Sequence, residues 1–239
     1  MIKRALLIFG LLAFVAEAND IQPASMENMI SGREGLVDLV CPLPDSSDRF
    51  VSQAFAVELT DAHGFEILVA TRHGTGGLQA IDNAQCWIRG PRGENYAIAD
   101  VRYSRSNATE DHDWLVLRTS ESFGTNMQRL TLARLQVSVD HLPGITLVRQ
   151  NHPATVCQVL SQTEIIHNDG SLFAHDCRTR PGLSGSPIMI ANDGSGVVIG
   201  FHIGRVTEYS GGGQEQYGLA RWIDAEIEHA IMDLAAPAN

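Results

Sequence analysis

Basic side chains are scarce in this sequence. Its 239 residues contain 17 lysines and arginines against 28 aspartates and glutamates, and the formal net charge is -11. A surplus of negative charge disfavours binding to nucleic-acid phosphates and to anionic membrane surfaces. We therefore expect neither a nucleic acid nor a membrane surface among the partners of this chain.

Long apolar runs are scarce as well. After residue 18 no segment stays apolar over the ~20 residues that a membrane-spanning helix needs. The one extended run covers 5–15, follows Lys3 and Arg4, and precedes Ala-Glu-Ala at 16–18. This is the plan of a secretory signal peptide with its cleavage site. The sequence thus predicts removal of 1–18 and a secreted or periplasmic protein, with a buried N-terminal helix as the alternative.

Cysteine is rare, and the chain has only four: Cys41, Cys86, Cys157 and Cys177. In an exported protein, four cysteines indicate two disulfide bonds, for which three pairings exist. If the chain forms two consecutive subdomains, pairing the first cysteine with the second and the third with the fourth is the most economical. The second bond would then brace the segment that contains Ser184. Two pairs of free buried thiols are the alternative.

Short stretches rich in valine, isoleucine, phenylalanine and tyrosine alternate with turn residues along most of the chain. This pattern predicts an all-β protein, with ten strands between residues 54 and 203. The segment 192–196, Asn-Asp-Gly-Ser-Gly, predicts a hairpin. Turn residues near 142–144 separate two strand-rich halves, and apolar residues at helical spacing predict a helix over 221–235.

One segment of the sequence suggests chemistry. Residues 182–187 are Gly-Leu-Ser-Gly-Ser-Pro, so Ser184 lies between two glycines and just before a predicted strand. Glycines allow the tight backbone path that exposes a hydroxyl and turns N–H groups toward a developing oxyanion. We predict that Ser184 is a nucleophile and that the N–H groups of Gly182 and Ser184 form an oxyanion hole.

Two upstream segments supply the partners that an activated serine needs. His73 follows one apolar run and Asp113 precedes another. We predict His73 as the general base and Asp113 as the carboxylate that fixes its tautomer, with Asp111 as the alternative carboxylate. The order His, Asp, Ser is that of the chymotrypsin-type proteases.

An α/β-hydrolase is the rival catalytic fold, and it would use Ser184, then Asp193 or Asp224, then His229. Its nucleophile is followed directly by a helix, whereas Pro187 and the apolar β-branched residues after it predict a strand here. A cation site over 110–113 is also disfavoured, because consecutive residues converge poorly on one ion. We therefore expect no metal and no cofactor.

On these motifs the chain resembles the trypsin-like serine peptidases, most nearly their bacterial glutamyl-endopeptidase-like branch. The similarity covers 35–235 and is most specific at 177–187 and 198–202. It implies two six-stranded antiparallel β-barrels packed together, with the catalytic cleft between them and a C-terminal helix. It also implies a His73, Asp113 and Ser184 triad that cleaves protein substrates through an acyl-enzyme intermediate.

The expected domain bounds follow from the signal sequence and this resemblance. We predict a signal peptide at 1–18, an N-terminal arm or pro-segment at 19–34, and a peptidase domain at 35–239. Within that domain we expect the first barrel at about 35–140, the second at about 141–220 and the helix at about 221–235. We expect the protein to act as a monomer on protein or peptide substrates.

The resemblance also suggests substrate-binding residues. Thr179 and His202 are similar to residues that line the primary specificity pocket of glutamate-cleaving members, and Arg178 is expected at or near the base of that pocket. Arg205 replaces a glycine of the substrate groove, so it either narrows the groove or contacts substrate. A cavity with these donors would favour an acidic side chain. The alternative is that Arg178 points outward and His202 is a packed strand residue.

Two further positions depart from the family pattern. Leu183 replaces an aspartate that captures a newly formed N-terminal amine, so we predict activity that is independent of such an amine. Comparing turnover of chains that begin at Asn19 and at Glu34 tests this, since strong activation by trimming would contradict it. Gly74 replaces a cysteine that often follows the catalytic histidine, so the first disulfide must lie elsewhere.

Two functional classes follow from the sequence. The favoured class is an active, exported serine endopeptidase. The alternative is a non-catalytic binding or regulatory protein of the same fold, which the departures at Leu183 and Arg205 keep open.

Overall fold

The computed structural model describes most of the predicted peptidase domain. The described residues are 35–43, 47–76, 85–104, 112–124, 127–135, 142, 144–150, 153–160, 170–192, 195–210 and 213–237. The predicted signal peptide and the arm at 19–34 lie outside them, as does Asp111. Within the described ranges, no helix has both the length and the apolar character that crossing a bilayer requires.

The first half of the chain forms a closed six-stranded antiparallel barrel with strand order β1-β2-β3-β6-β5-β4. Its strands are β1 (Leu36–Pro42), β2 (Arg49–Thr60), β3 (Glu66–Ala70), β4 (Trp87–Arg89), β5 (Asn95–Tyr103) and β6 (Leu115–Thr119). All five residues of β3 are buried. Because side chains alternate along a strand, Leu68 and Ala70 fill the barrel interior while Ile67 and Val69 face the second half. Burial on both faces explains why the four residues 67–70 are all apolar.

The second half forms a six-stranded antiparallel sheet with strand order β8-β7-β10-β11-β12-β9. Its strands are β7 (Ile145–Leu147), β8 (Thr155–Cys157), β9 (Leu172–His175), β10 (Pro187–Asn192), β11 (Ser195–Ser210) and β12 (Gly213–Trp222). The sheet is a half-barrel, and a single bridge between Val159 and His175 joins its two edges beyond the end of β8. The all-β fold class is confirmed, although this half closes less completely than the predicted barrel.

A shared apolar core holds the two sheets and the helix α1 (Ala225–Ala235) together. It contains Phe55 and Val116 from the barrel, Phe201 from β11, and Ile227 and Ile231 from α1. Full burial of such a side chain stabilises the fold by about 1.5–3 kcal/mol. The cleft between the sheets is therefore formed by two bodies that are packed against each other.

The observed elements differ from the predicted ones at three places. The strands β1 and β12 were not predicted. Helix α1 begins at Ala225 rather than at 221, because β12 continues to Trp222 and Asp224 caps the helix by accepting hydrogen bonds from the N–H groups of Glu226 and Ile227. The predicted hairpin is confirmed by the pairing of Asn192 with Ser195.

Candidate active site

His73 lies just beyond β3, at the rim of the barrel. It begins a single 3₁₀ turn, His73–Thr75, which ends at Gly76 in the left-handed region with φ 66°. A side chain at Gly74 would approach the Ser52 hydroxyl to 2.3 Å, so this turn packs directly on β2. The imidazole is 40% exposed and meets the edge of the Phe50 ring. The turn therefore presents the ring to the cleft on a fixed backbone.

Asp113 holds His73 at two points. Its Oδ1 accepts a hydrogen bond from the His73 backbone N–H at 2.9 Å, and its Oδ2 lies 2.5 Å from Nδ1 of the ring. Buried Trp114 and strand β6 follow at once and fix the carboxylate in place. A carboxylate at Nδ1 keeps the ring proton on that nitrogen, which leaves Nε2 as an acceptor.

Ser184 comes from the other half of the chain and meets that acceptor. Its Oγ lies 2.7 Å from Nε2 of His73, across 111 positions of sequence. This is an ordinary distance for a hydrogen bond from a hydroxyl. Strand β10 begins at Pro187, three residues after the serine, so the local structure is a turn and a strand. The helix that an α/β-hydrolase requires after its nucleophile is not formed here.

Glycine is required by the backbone at two positions beside Ser184. Gly182 and Gly185 both have φ of 87°, a backbone conformation that other residues adopt at a cost. A Cβ at Gly185 would lie 1.8 Å from the carbonyl oxygen of Gln53. The loop thus passes against β2 too closely for any side chain at this position.

The backbone N–H groups near Ser184 fall into two groups. Those of Leu183, Gly185 and Ser186 donate to the carbonyls of Arg180, His202 and Leu183, respectively. Within the described part of the chain, the N–H groups of Gly182 and Ser184 have no acceptor. Gly182 is exposed and Ser184 half-buried, so both are open to a ligand. Their oxyanion role stays a prediction.

Two disulfide bonds join the four cysteines, Cys41 to Cys86 and Cys157 to Cys177. These are the pairs that the two-subdomain argument favoured, one in each half. The second bond lies directly before the loop that carries Ser184. The sulfurs of Cys157 and Cys177 and a ring nitrogen of His175 lie within 4.8 Å of one another. Sulfurs joined in a disulfide are not thiolate ligands, so the cluster suits a metal only after reduction.

The four predicted substrate-binding residues do not all come together. Thr179 and His202 are buried, whereas Arg178 is exposed and makes no hydrogen bond with the other three among the described residues. The Arg205 guanidinium reaches across to Thr179, where its Nε donates to Oγ1 at 3.3 Å and a terminal nitrogen donates to the backbone carbonyl. It also donates to Gln216 Oε1 at 3.3 Å. Arg205 therefore bridges the serine loop and the β11–β12 hairpin.

His175 is a buried partner of His202 that the sequence analysis missed. Its Nδ1 accepts from the backbone N–H of Cys177, and its Nε2 lies 3.2 Å from Nδ1 of His202. Burial lowers the pKa of His175 to about 4. Burial, together with electrostatic repulsion from the His175 and His73 rings, lowers the pKa of His202 to about 3. Both rings are therefore neutral near pH 7. The sequence signal for His175 was weak, since this histidine directly follows the predicted strand 171–174.

Leu183 is buried in the apolar core of the second sheet, 3% exposed. Its neighbours there include Cys177, Ile188 and Ile199. An apolar environment of this kind offers no partner to a charged amine. Leu183 therefore has a packing role in this core. Activity that does not depend on a captured N-terminal amine stays a prediction.

Comparison with known proteins finds similarity in structure alone. No family model matches the chain, and no curated protein matches it. The HtrA-type protease AlgW, solved with a decapeptide, is similar with a TM-score of 0.55 and 17% sequence identity over 89% of this chain and 69% of that chain. The Rv3671c protease from M. tuberculosis, in its active form, is similar with a TM-score of 0.58 and 13% identity over 93% of both chains. At such identities the similarity shows a shared fold, the trypsin-like one that the motifs implied, and it does not single out the glutamyl-endopeptidase-like branch.

Proposed function

We propose that this chain is a serine endopeptidase that cleaves protein substrates through an acyl-enzyme intermediate. The observation that carries the proposal is the 2.7 Å contact between His73 Nε2 and Ser184 Oγ. With the Nδ1 proton held by Asp113, Nε2 has a lone pair that accepts the serine proton as the hydroxyl attacks a carbonyl.

In this mechanism each step is assigned to one group of the site. Ser184 Oγ bonds to the peptide carbonyl carbon while its proton passes to His73, and the N–H groups of Gly182 and Ser184 receive the negative oxygen. Such donors contribute about 3–4 kcal/mol each to transition-state stabilisation. The peptide C–N bond breaks as His73 returns the proton to the leaving amine, and the acyl-enzyme ester remains. Water then attacks this ester with His73 as the base, and the bond to Ser184 Oγ breaks as His73 returns the proton to the serine. The decapeptide in the AlgW structure supports a peptide as the substrate class.

A fluorophosphonate probe tests this proposal. We expect covalent labelling of the wild-type protein, none of Ser184→Ala, and full labelling of Ser120→Ala, which removes an exposed hydroxyl outside the cleft. An unlabelled wild-type protein with an intact fold would favour the second candidate, a non-catalytic binding protein of the same fold. The observation in favour of that candidate is that the Arg205 guanidinium is already hydrogen-bonded to Thr179, a residue of the predicted pocket.

We further propose a preference for acidic residues, and that Arg205 is the group responsible. His202 has a pKa of about 3 and carries no charge near neutral pH, while a guanidinium is always charged. Cleavage profiling of a peptide library should show a preference for glutamate or aspartate. Arg205→Met should remove this preference, and the control Arg102→Met, at a half-exposed arginine of β5, should retain it. A wild-type preference for aromatic or basic residues would contradict this assignment.

Export is the third part of the proposal. The signal-like segment 1–18 and two disulfide bonds suit an oxidising compartment, secreted or periplasmic. Mass spectrometry of the mature protein should find an N-terminus at Asn19 or beyond. A mature chain that still begins at Met1 would contradict it.

A further inference from the structure

A buried side-chain contact joins the two halves of the molecule directly behind Ser184. The Ser186 hydroxyl donates to Oε1 of Gln53 at 2.5 Å, although the two residues are 133 positions apart. Gln53 is 6% exposed and Ser186 is fully buried. Polar side chains at such depth lose solvation that only a partner restores, so a buried pair of this kind stays closed.

Gln53 reaches the serine loop through its backbone as well. Strand β2 pairs with β3 only from Ala54 onward, so at Gln53 that edge of β2 is free of β3. The Gln53 N–H donates instead to the carbonyl of Ser184 at 2.8 Å, and its own carbonyl oxygen abuts Gly185. The nucleophile is thus held on the barrel side by one residue of β2.

The other side of the loop is tied to the second sheet. The N–H of Gly185 donates to the carbonyl of His202 at 2.8 Å, and the N–H of His202 donates to the carbonyl of Ser186 at 2.9 Å. These bonds fix the loop to β11. The position of the loop relative to His73 depends instead on its contacts with the barrel. Strand β2 supplies those contacts through Gln53.

We infer that Gln53 is a positioning residue, and that its amide contact with Ser186 sets the position of the Ser184 hydroxyl relative to His73. The inference rests on the proposed peptidase function. The backbone bond from Gln53 to Ser184 limits the loop in one direction, and the side-chain bond to Ser186 prevents it from sliding along β2. A misplacement of about 1 Å between reacting groups costs on the order of 100-fold in rate.

The test uses the saturable rate of fluorophosphonate labelling in the full chain. We expect Gln53→Met and Ser186→Ala each to lower the maximal labelling rate by about 10- to 100-fold while the probe concentration at half-saturation stays unchanged. The maximal labelling rate of the double variant should fall no further than that of either single variant, because both changes break the same contact. Gln53→Glu, which retains an acceptor for the serine hydroxyl, should recover part of the rate.

The matched control is Thr119→Val, which removes a fully buried hydroxyl that bonds to the backbone of Glu66 and Glu121 away from the cleft. It should lower the midpoint of urea unfolding and leave the maximal labelling rate intact. If Thr119→Val slows labelling as much as Ser186→Ala does, the effect follows stability and the positioning role is overturned. Labelling of both contact variants at the wild-type rate would also overturn it, with the proposed function intact. A wild-type protein that is not labelled through Ser184 would overturn the proposed function, and this inference with it.

Discussion

At the scale of single residues, Asp113 fixes both the orientation and the tautomer of His73. An asparagine would keep the size but place an amide against Nδ1, so the ring would hold its proton on the nitrogen that faces Ser184. We expect Asp113→Asn to slow labelling by about 10⁴-fold, as this change does in Ser-His-Asp enzymes. Asp100→Asn, at a half-exposed carboxylate paired with Arg102, is the control and should label normally. A rate within tenfold of wild type would exclude Asp113 as the orienting group.

The buried pair of His175 and His202 predicts a dependence of stability on pH. In the unfolded chain both rings bind protons near pH 6.5, whereas burial keeps them neutral in the folded protein down to about pH 4. Protonation therefore favours the unfolded state, and the free energy of unfolding falls as pH drops below 6.5. The slope approaches about 1.4 kcal/mol per pH unit for each histidine.

Urea unfolding at pH 7.0 and pH 5.0 measures this effect, because the interval lies above the ordinary pKa of carboxyl groups. The wild-type protein should be clearly less stable at pH 5.0. His229→Gln removes an imidazole that is 80% exposed and should leave the difference unchanged. Equal stability at the two pH values would show that the histidine pair is not kept neutral by the fold.

At the scale of elements, the sequence predicted most strands in which apolar residues dominate, with β1 (Leu36–Pro42) as the exception. Strand β3 has four consecutive apolar residues at 67–70, as burial on both faces demands. Strand β12 was missed because Gly213–Trp222 is rich in glycine and polar residues, which have low strand propensity. At Gly218 in this strand a side chain is excluded, since its Cβ would lie 2.1 Å from the ring of His175. Tertiary contacts of this kind leave no local signal.

The residues of the candidate site were likewise predicted only in part. Ser184 was found from its flanking glycines, and His73 and Asp113 from the apolar runs beside them, because these features are local in sequence. Gln53 and His175 were not found. Their importance lies in contacts with residues 133 and 27 positions away, and neither has a distinctive neighbourhood in the chain.

Gly185, in the loop between β9 and β10, allows a test of how closely this loop approaches β2. Gly185→Ala combines a left-handed backbone with a Cβ only 1.8 Å from backbone oxygen of Gln53, which cannot move without displacing β2. Gly64→Ala has a similar φ of 79° but no atom within 4 Å, so it should cost only about 1–2 kcal/mol in strain. We expect Gly185→Ala to be destabilised by more than this control in urea unfolding and to lose labelling. Equal costs for the two variants would mean that the loop does not press on β2 as described.

At the scale of the whole molecule, the geometry of the candidate site depends on how the two halves meet. His73 and Asp113 belong to the barrel and Ser184 to the second sheet, so their distances are set by the core between the sheets. Neither half contains a complete site. Local stability within one half and correct placement between the halves are consequently separable properties.

The two disulfide bonds make this separation measurable. Cys41–Cys86 lies within the barrel and spans 45 positions, whereas Cys157–Cys177 spans 20 and precedes the Ser184 loop. The loop-entropy relation predicts that the longer loop stabilises the protein by about 0.7 kcal/mol more. We expect the double variant Cys41→Ala/Cys86→Ala to lose more stability in urea unfolding, and Cys157→Ala/Cys177→Ala to lose more labelling rate. If the variant that loses more stability also loses more labelling rate, the loss of labelling follows stability. The second disulfide then has no separate role in placing Ser184.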